Sequence, residues 1–149
     1  MGYKYGVWYV YPKGTFPTNH IGHFTVSCFM EKEDARRLYI ELLSNFGKTN
    51  LISVDCKNPV VYDKNNYEDD DNDICSWGYN AKILNWNSIR EITNNYKCNF
   101  SQQPHTSIQY EYEEKYLIIE KLSSNKLIKC NIHLVNICSD NPNEWSIIE

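Results

Sequence analysis

Arginine and alanine are scarce in this chain, which has three arginines and two alanines among its 149 residues and uses Asn, Ile, Lys and Tyr heavily. This bias is typical of an AT-rich genome. The chain also has no positive charge excess, since 15 Lys and Arg stand against 19 Asp and Glu and the formal net charge is −4. Because a nucleic-acid duplex is bound through clustered Lys and Arg, we expect no duplex partner, whereas a small nucleotide stays open.

Long apolar runs and cysteine motifs are also missing. No apolar stretch approaches the roughly 20 residues that span a bilayer, and no apolar signal segment precedes a cleavage site at the N-terminus. The six cysteines lack the C-x-x-C spacing of metal and redox sites. We therefore expect reduced thiols, no membrane association and a cytoplasmic location.

No group of Cys, His, Asp and Glu residues has the spacing of a catalytic metal site. The acidic stretch YEDDDND at 67–73 carries carboxylates that suit Mg²⁺ or Ca²⁺, but it lacks the Gly and Glu positions of an EF-hand loop. We interpret this stretch as a solvated loop and expect neither a metal nor another cofactor.

The length and the 42% share of hydrophobic residues suit one domain over 1–149, and we expect a monomer. Apolar residues at helical spacing predict α-helices at 31–47 and near 86–97, and 113–124 has a helix-like pattern. Segments rich in β-branched and aromatic residues predict strands near 3–11, 22–30, 50–56, 59–63, 74–84, from 105 onward, 130–138 and 144–149. The expected fold class is α+β.

Two strand segments, HFTVS and HTSIQ, each contain a histidine followed two residues later by a hydroxyl residue. Successive side chains of a strand alternate between faces, so His23 lies beside Thr25 and His105 lies beside Ser107. The other two histidines lack this pairing. Each motif also leads into an acidic segment with helical character, which indicates a faint strand–helix duplication.

Two histidines beside two hydroxyls suit the chemistry of phosphodiester transfer. One group must take a proton from the attacking oxygen and another must give one to the leaving oxygen, and imidazole has the unperturbed pKa nearest to neutral pH. Hydroxyl donors beside each imidazole can stabilise the negative charge that develops on the phosphate oxygens, without a metal.

The segments HFTV and HTSI resemble the two His-x-Thr/Ser motifs of the 2H phosphoesterase family, and the resemblance covers essentially the whole chain. It implies two pseudo-symmetric lobes of antiparallel sheet with helices packed outside and an active-site cleft between the lobes. It also implies that His23 and His105 are the acid/base residues and that Thr25 and Ser107 bind phosphate. Thr106 departs from the pattern, because the family usually has an aliphatic residue there.

Aromatic residues in VWYVY, CSWGY and NEWSII are candidate stacking surfaces for bases, although most aromatic residues suit the core. Trp145 is the first candidate, because the closing strand borders the cleft in the fold that the resemblance implies. Tyr9, Tyr11 and Trp77 are further candidates. Because Trp8 alternates with Tyr9 and Tyr11 along one strand, only one of these two sets can line the cleft.

The resemblance implies a metal-independent phosphodiesterase that acts on a small nucleotide, either a cyclic dinucleotide or a short 2′–5′ oligonucleotide. The AT-rich bias and the small size favour a virus-encoded enzyme that destroys a 2′–5′-linked host immune messenger, such as 2′,3′-cyclic GMP-AMP or 2′–5′ oligoadenylate, in the host cytoplasm. Three alternatives stay open: an enzyme that opens 2′,3′-cyclic phosphates at RNA ends, a module that binds a nucleotide without cleaving it, and a structural or interaction protein.

Overall fold

The computed structural model describes residues 4–62, 74–98 and 103–149. In chain order the elements are β1 Tyr5–Val10, β2 His23–Met30, α1 Lys32–Phe46, β3 Thr49–Val54, β4 Val60–Tyr62, β5 Cys75–Ile83, α2 Trp86–Thr93, β6 His105–Glu111, β7 Lys126–Asn136 and β8 Ser146–Ile147. The strand pairs described are antiparallel. The α+β fold class is therefore confirmed, as are the predicted helices α1 and α2, although α2 ends earlier than predicted.

The eight strands form a sheet in which β5 is shared between two parts. The strand order is β2-β1-β7-β3-β5-β4, with β6 paired to β5 and β8 paired to β7. Residues 81–83 of β5 pair with β3, whereas residues 75–80 pair with β6. The two motif strands, β2 and β6, are not hydrogen-bonded neighbours, yet they lie close to each other. The topology thus brings together two segments that are far apart in the chain.

Helix α1 covers one face of the sheet. Its residues Leu38 and Leu42 are fully buried and pack in the same cluster as Val7 and Tyr9 of β1. The helix ends at Phe46 and is capped by Gly47, whose φ of 80° lies in the region that glycine adopts without steric cost and whose N–H donates to the carbonyl of Leu43. This cluster is the main core of the molecule.

A smaller cluster contains Trp8, Cys28, Val135 and Ile137. Trp8 alternates with the main-core residues of β1, so it points to the other face of the strand. Through Trp8, this second cluster lies on the same side of the sheet as His23 and Thr25 of the first motif.

The helix-like segment at 113–124 does not form an α-helix, and that prediction is wrong. The segment contains one 3₁₀ turn, Glu114–Tyr116, and then continues without helical structure. The side chain of Gln109 binds its main chain, because Oε1 accepts from the N–H of Ile118 (2.8 Å) and Nε2 donates to the carbonyl of Tyr116 (3.0 Å). These partners come from β6 and not from within the segment. The strand–helix duplication is therefore absent after β6.

The acidic stretch 67–73 lies outside the described residues, so its interpretation as a loop stays a prediction. No disulfide joins any of the six cysteines, all of which belong to the described ranges. Within those ranges, none of the helices has the length and apolar character that crossing a bilayer requires.

Candidate functional site

The first motif lies on the face of β2 that is opposite to the main core. In the antiparallel pairing with β1, His23 lies opposite Val10 and Thr25 lies opposite Trp8, so these four residues share one face. The residue between the two motif positions, Phe24, is buried in the main core. The alternation of the strand therefore presents the imidazole and the hydroxyl on the same side.

The second motif lies on β6 against β5. His105 pairs with Asn80 and Ser107 pairs with Gly78, which places both motif residues on one face of the pair. Glycine is required at position 78, because a Cβ there would collide with the main-chain carbonyl of Thr106. The close approach of the two backbones thus depends on a residue without a side chain.

A β-bulge interrupts β6 just after this motif. The register of β5 against β6 shifts between Trp77 and Gly78, so β6 has one extra residue beyond Ser107. The extra residue changes the alternation, and Tyr110, which lies opposite Ser76, returns to the face of Ser107. The bulge therefore adds a tyrosine to the motif face that simple alternation would have turned away.

The two motif histidines are held in the same way. The Nδ1 of His23 is 2.7 Å from the carbonyl oxygen of Ile21, and the Nδ1 of His105 is 3.0 Å from the carbonyl oxygen of Gln103. In both cases the partner is the carbonyl two residues earlier. A carbonyl oxygen only accepts, so Nδ1 carries the proton in each ring and Nε2 is the unprotonated nitrogen of the neutral form.

His23 is almost fully buried and lies among aromatic side chains. Only 5% of it is exposed, and its ring stacks on Trp8 with a centroid separation of 3.5 Å and an interplanar angle of 8°. Burial, together with the neighbouring imidazoles of His20 and His105, lowers the pKa of His23 to about 3, while the hydrogen bond to the Ile21 carbonyl opposes the shift. His23 is therefore a neutral imidazole at neutral pH in the free protein.

His105 is half-buried beside Tyr62, with ring centroids 4.4 Å apart and tilted by 34°. The Tyr62 hydroxyl donates to Oδ1 of Asn80 at 2.7 Å, which fixes the tyrosine ring against the histidine. Burial lowers the pKa of His105, while the hydrogen bond to the Gln103 carbonyl opposes that effect. This second imidazole is also neutral near pH 7 in the free protein.

A third histidine joins the two motifs. His20 donates from Nε2 to the main-chain carbonyl of Ser107 at 3.0 Å, and its ring centroid is 5.9 Å from that of His23. Burial lowers its pKa to about 4. His20 thus connects the segment before β2 directly to the second motif. No sequence pattern indicates a role for this residue, since it lies before the strand predicted near 22–30.

The motif hydroxyls differ in their surroundings. The Oγ of Ser107 is 3.2 Å from the Oγ of Ser76, and both side chains are buried. Thr25 is partly exposed, and within the described residues its hydroxyl makes no hydrogen bond. Both hydroxyls lie beside their histidines, where they can donate to an anion.

Trp145 lies at the edge of the first motif. It is half-buried, and its ring centroid lies 5.9 Å from that of His23 and 5.7 Å from that of Tyr110. Its Nε1 donates to the carbonyl of Ser139 at 2.7 Å, which fixes the ring. Trp145 keeps an accessible surface next to the imidazole.

Tyr9, Tyr11 and Trp77 do not fit the interpretation as stacking residues, because their exposed fractions are 0%, 4% and 2%. Tyr9 faces the main core, and Trp77 donates from Nε1 to Oε1 of Gln109 at 3.1 Å. On β1 it is Trp8 that shares the motif face. The alternation of Trp8 with Tyr9 and Tyr11 is confirmed, and the two tyrosines belong to the set that faces the main core.

Thr106, the departure from the family pattern, has a buried partner. Its Oγ1 is 2.9 Å from the hydroxyl of Tyr11, and both residues are buried. The bond ties the residue after β1 to β6, so it joins the two halves of the chain beneath the site. A threonine here is satisfied without disturbing the adjacent motif residues.

The described ranges contain no cluster of three or more His, Cys, Asp or Glu residues that could hold a metal ion. Comparison of the sequence with known protein families and with curated proteins gave no match. What the chain can do therefore rests on its own geometry: two imidazoles with Nε2 directed away from the backbone, two adjacent hydroxyls, and an aromatic edge.

Proposed function

We propose that this chain is a metal-independent phosphodiesterase of the 2H type that cleaves a small nucleotide. The observation that carries the proposal is the matched support of His23 and His105, each held through Nδ1 by the carbonyl two residues earlier, on strands that lie close together. The same orientation in two stretches that are far apart in the chain would present Nε2 of both rings to one phosphate group of the substrate.

The proposed reaction needs one neutral and one protonated imidazole. One Nε2 takes the proton of the attacking oxygen as the new O–P bond forms, and the other gives a proton to the leaving oxygen as its bond to phosphorus breaks. A bound phosphate is anionic, so it raises the pKa of both imidazoles and allows one of them to be protonated. Thr25 and Ser107 donate to the non-bridging oxygens, whose charge grows in the transition state.

The proposal includes the finer architecture of the family, with two pseudo-symmetric lobes and a cleft between them. The division of β5 supports this view, because one half pairs with β3 and the other half pairs with β6 and β4. The contacts of His20 with Ser107, and of Tyr11 with Thr106, would then be the junction of the lobes.

As substrate we propose a 2′–5′-linked immune messenger, either 2′,3′-cyclic GMP-AMP or 2′–5′ oligoadenylate, with viral immune evasion as the role. The net charge of −4 supports a small nucleotide over a duplex. Trp145 beside His23 supports a ligand with a flat base next to the reacting phosphate. An enzyme that opens 2′,3′-cyclic phosphates at RNA ends would use the same four residues.

A non-catalytic binding module is the second candidate, and one observation favours it. The pKa values of His20, His23 and His105 are all lowered, so the free site lacks a protonated acid at neutral pH. Such a site would hold a phosphate through neutral donors alone. Catalysis would require substrate binding to raise the pKa of one imidazole enough for that imidazole to be protonated.

Purified protein mixed with a nucleotide panel in EDTA tests the proposal, with products followed by chromatography and binding by calorimetry. The panel contains 2′–5′ oligoadenylate, cyclic dinucleotides and 2′,3′-cyclic mononucleotides. Cleavage of the 2′–5′-linked compounds supports the proposal, whereas opening of the 2′,3′-cyclic mononucleotides alone indicates the RNA-end enzyme. Binding without cleavage indicates the module, and the absence of both overturns the proposal.

A further inference from the structure

A cavity of about 520 Å³ opens next to the two motifs. It shares His20 and Tyr110 with the aromatic edge of the site, since these two rings contact each other at 5.0 Å and also line the cavity wall. The volume lies in the range of small-molecule sites. A nucleotide whose phosphate lies between the motif histidines therefore has this cavity within reach of one of its bases.

The charged residues that line the cavity determine which chemical groups it can bind. The described lining includes the carboxylates of Glu111 and Glu120 and the apolar side chains of Ile108 and Ile118, but no Lys or Arg. A phosphate group would be repelled by two carboxylates without a compensating cation. A neutral group with hydrogen-bond donors and flat apolar faces is the complementary ligand.

Glu111 is the better placed of the two acids. It is half-buried on β6, and its Oε1 accepts from Nε2 of Gln109 at 2.9 Å, which orients the carboxylate. Gln109 is held in turn by Trp77 and Ile118. The second oxygen of Glu111 accepts no hydrogen bond within the described chain. An oriented carboxylate with spare acceptor capacity matches a group that presents adjacent N–H donors.

We propose that this cavity is a base subsite that selects guanine, with Glu111 accepting from the N1–H and the 2-amino group of the base. The inference rests on the proposed function, because the histidine site must hold the phosphate of the same nucleotide. Guanine has two N–H donors side by side, whereas hypoxanthine keeps N1–H and lacks the amino group. Uracil places carbonyl oxygens on both sides of its single N–H, and these repel a carboxylate.

Calorimetric binding of GMP and IMP tests this subsite without requiring cleavage, because neither compound contains a diester. The unmodified protein should bind GMP about tenfold more tightly than IMP, the usual effect of one hydrogen bond to a charged acceptor. The isosteric change Glu111→Gln should reduce that preference to about twofold or less, because the amide accepts one N–H and opposes the other. A melting curve for each variant confirms that it is folded.

Glu113→Gln is the matched control. Glu113 is exposed, lies outside the cavity lining and pairs with Lys115 at 3.1 Å, so its loss should leave the GMP preference unchanged. Equal affinities for GMP and IMP in the unmodified protein, no binding of either, or a preference that survives Glu111→Gln would each overturn the subsite. A GMP preference in a protein that cleaves no diester would retain the subsite and refute the phosphodiesterase, so the two failures are separable.

Discussion

The indole of Trp8 lies flat on the imidazole of His23, with ring centroids 3.5 Å apart and planes within 8° of parallel. The stack covers one face of the imidazole, while the Nδ1 bond to Ile21 fixes its edge. Together these contacts leave the ring one orientation. Trp8 is therefore a positioning residue for the first motif, although it carries no acid/base chemistry of its own.

Replacing Trp8 with leucine should lower kcat about fivefold, because loss of an aromatic pair removes roughly 1 kcal/mol of orienting interaction from His23. Trp8→Phe keeps a smaller stacking surface and should restore part of that loss. Steady-state kinetics on a cleaved nucleotide measure both variants.

Tyr9→Leu is the matched control for the Trp8 variants. Tyr9 is the next residue on β1 and is equally buried, but it faces the main core. Its replacement should lower the melting temperature while kcat stays near that of the unmodified protein. If both substitutions reduced kcat to the same extent, the stack would have no specific role.

The motif hydroxyls should act in the transition state. Thr25→Val and Ser107→Ala should each lower kcat by about ten- to a thousandfold, with a smaller effect on KM, because each change deletes one donor to a developing negative charge. Full kinetic curves separate the two parameters. A rise in KM alone would mean that the hydroxyls serve only ground-state binding.

Thr106→Val provides the comparison for Ser107→Ala on the adjacent position of β6. Thr106 points away from the site and is bonded to the Tyr11 hydroxyl at 2.9 Å. The change should cost about 1–3 kcal/mol in the free energy of unfolding, because it leaves a buried hydroxyl unpaired. It should leave kcat nearly unchanged, which urea unfolding and kinetics can establish on the same sample.

The regular elements could be predicted because their signals are local. Helix α1 follows the apolar spacing of its own residues, and alternation together with β-branched content located the strands. The segment 113–124 has an equally helical spacing, yet Ile118 and Ile119 are exposed and its main chain is bound by Gln109 from β6. A local pattern cannot report a partner supplied by another element.

The site, too, could be predicted only where its signals are local. Alternation alone places His23 beside Thr25, but the stack of Trp8 on His23 depends on the pairing of β1 with β2. Tyr110 lies on the site face only because of a bulge in β6, and no residue pattern predicts that bulge. His20 enters through a loop contact with a main-chain carbonyl. Each of these is a non-local consequence of how the strands meet.

The buried histidines should make stability depend on pH. The pKa of His20 is lowered to about 4 and that of His23 to about 3, while both return to about 6.5 on unfolding. Between pH 6.5 and 4 the unfolded chain binds more protons, so the free energy of unfolding should fall as pH falls. Each histidine contributes up to about 1.4 kcal/mol per pH unit in that window. Above pH 7 neither contributes.

Urea unfolding at several pH values measures this dependence in the unmodified protein and in His20→Gln. The variant lacks one of the buried imidazoles, so its free energy of unfolding should change less steeply between pH 6.5 and 4. Identical slopes for the two proteins would contradict this account. They would mean that His20 binds the same number of protons in the folded and the unfolded chain over this pH range.

The linkage preference is tested by the hydrolysis rates of 2′,3′- and 3′,3′-cyclic GMP-AMP at equal concentration. We expect faster cleavage of the 2′,3′ compound, and a 2′,3′-cyclic phosphate as product or intermediate, because the neighbouring 3′-hydroxyl lies beside the phosphorus of a 2′–5′ bond. The other isomer has a 2′-hydroxyl equally near, so the preference must come from the seating of the bases. Equal rates would refute the linkage and leave the two-histidine mechanism standing.

The most direct measurement compares cleavage in EDTA by the unmodified protein, His23→Ala, His105→Ala and the double variant, with His133→Ala as a folded control outside the motifs. Each single motif variant should lose at least roughly a hundredfold in turnover, and the double variant should be scarcely worse, because the two imidazoles act as a unit. EDTA and His133→Ala should change little. A single motif variant that keeps more than about half of the activity, or complete loss of activity in EDTA, would contradict the two-histidine mechanism.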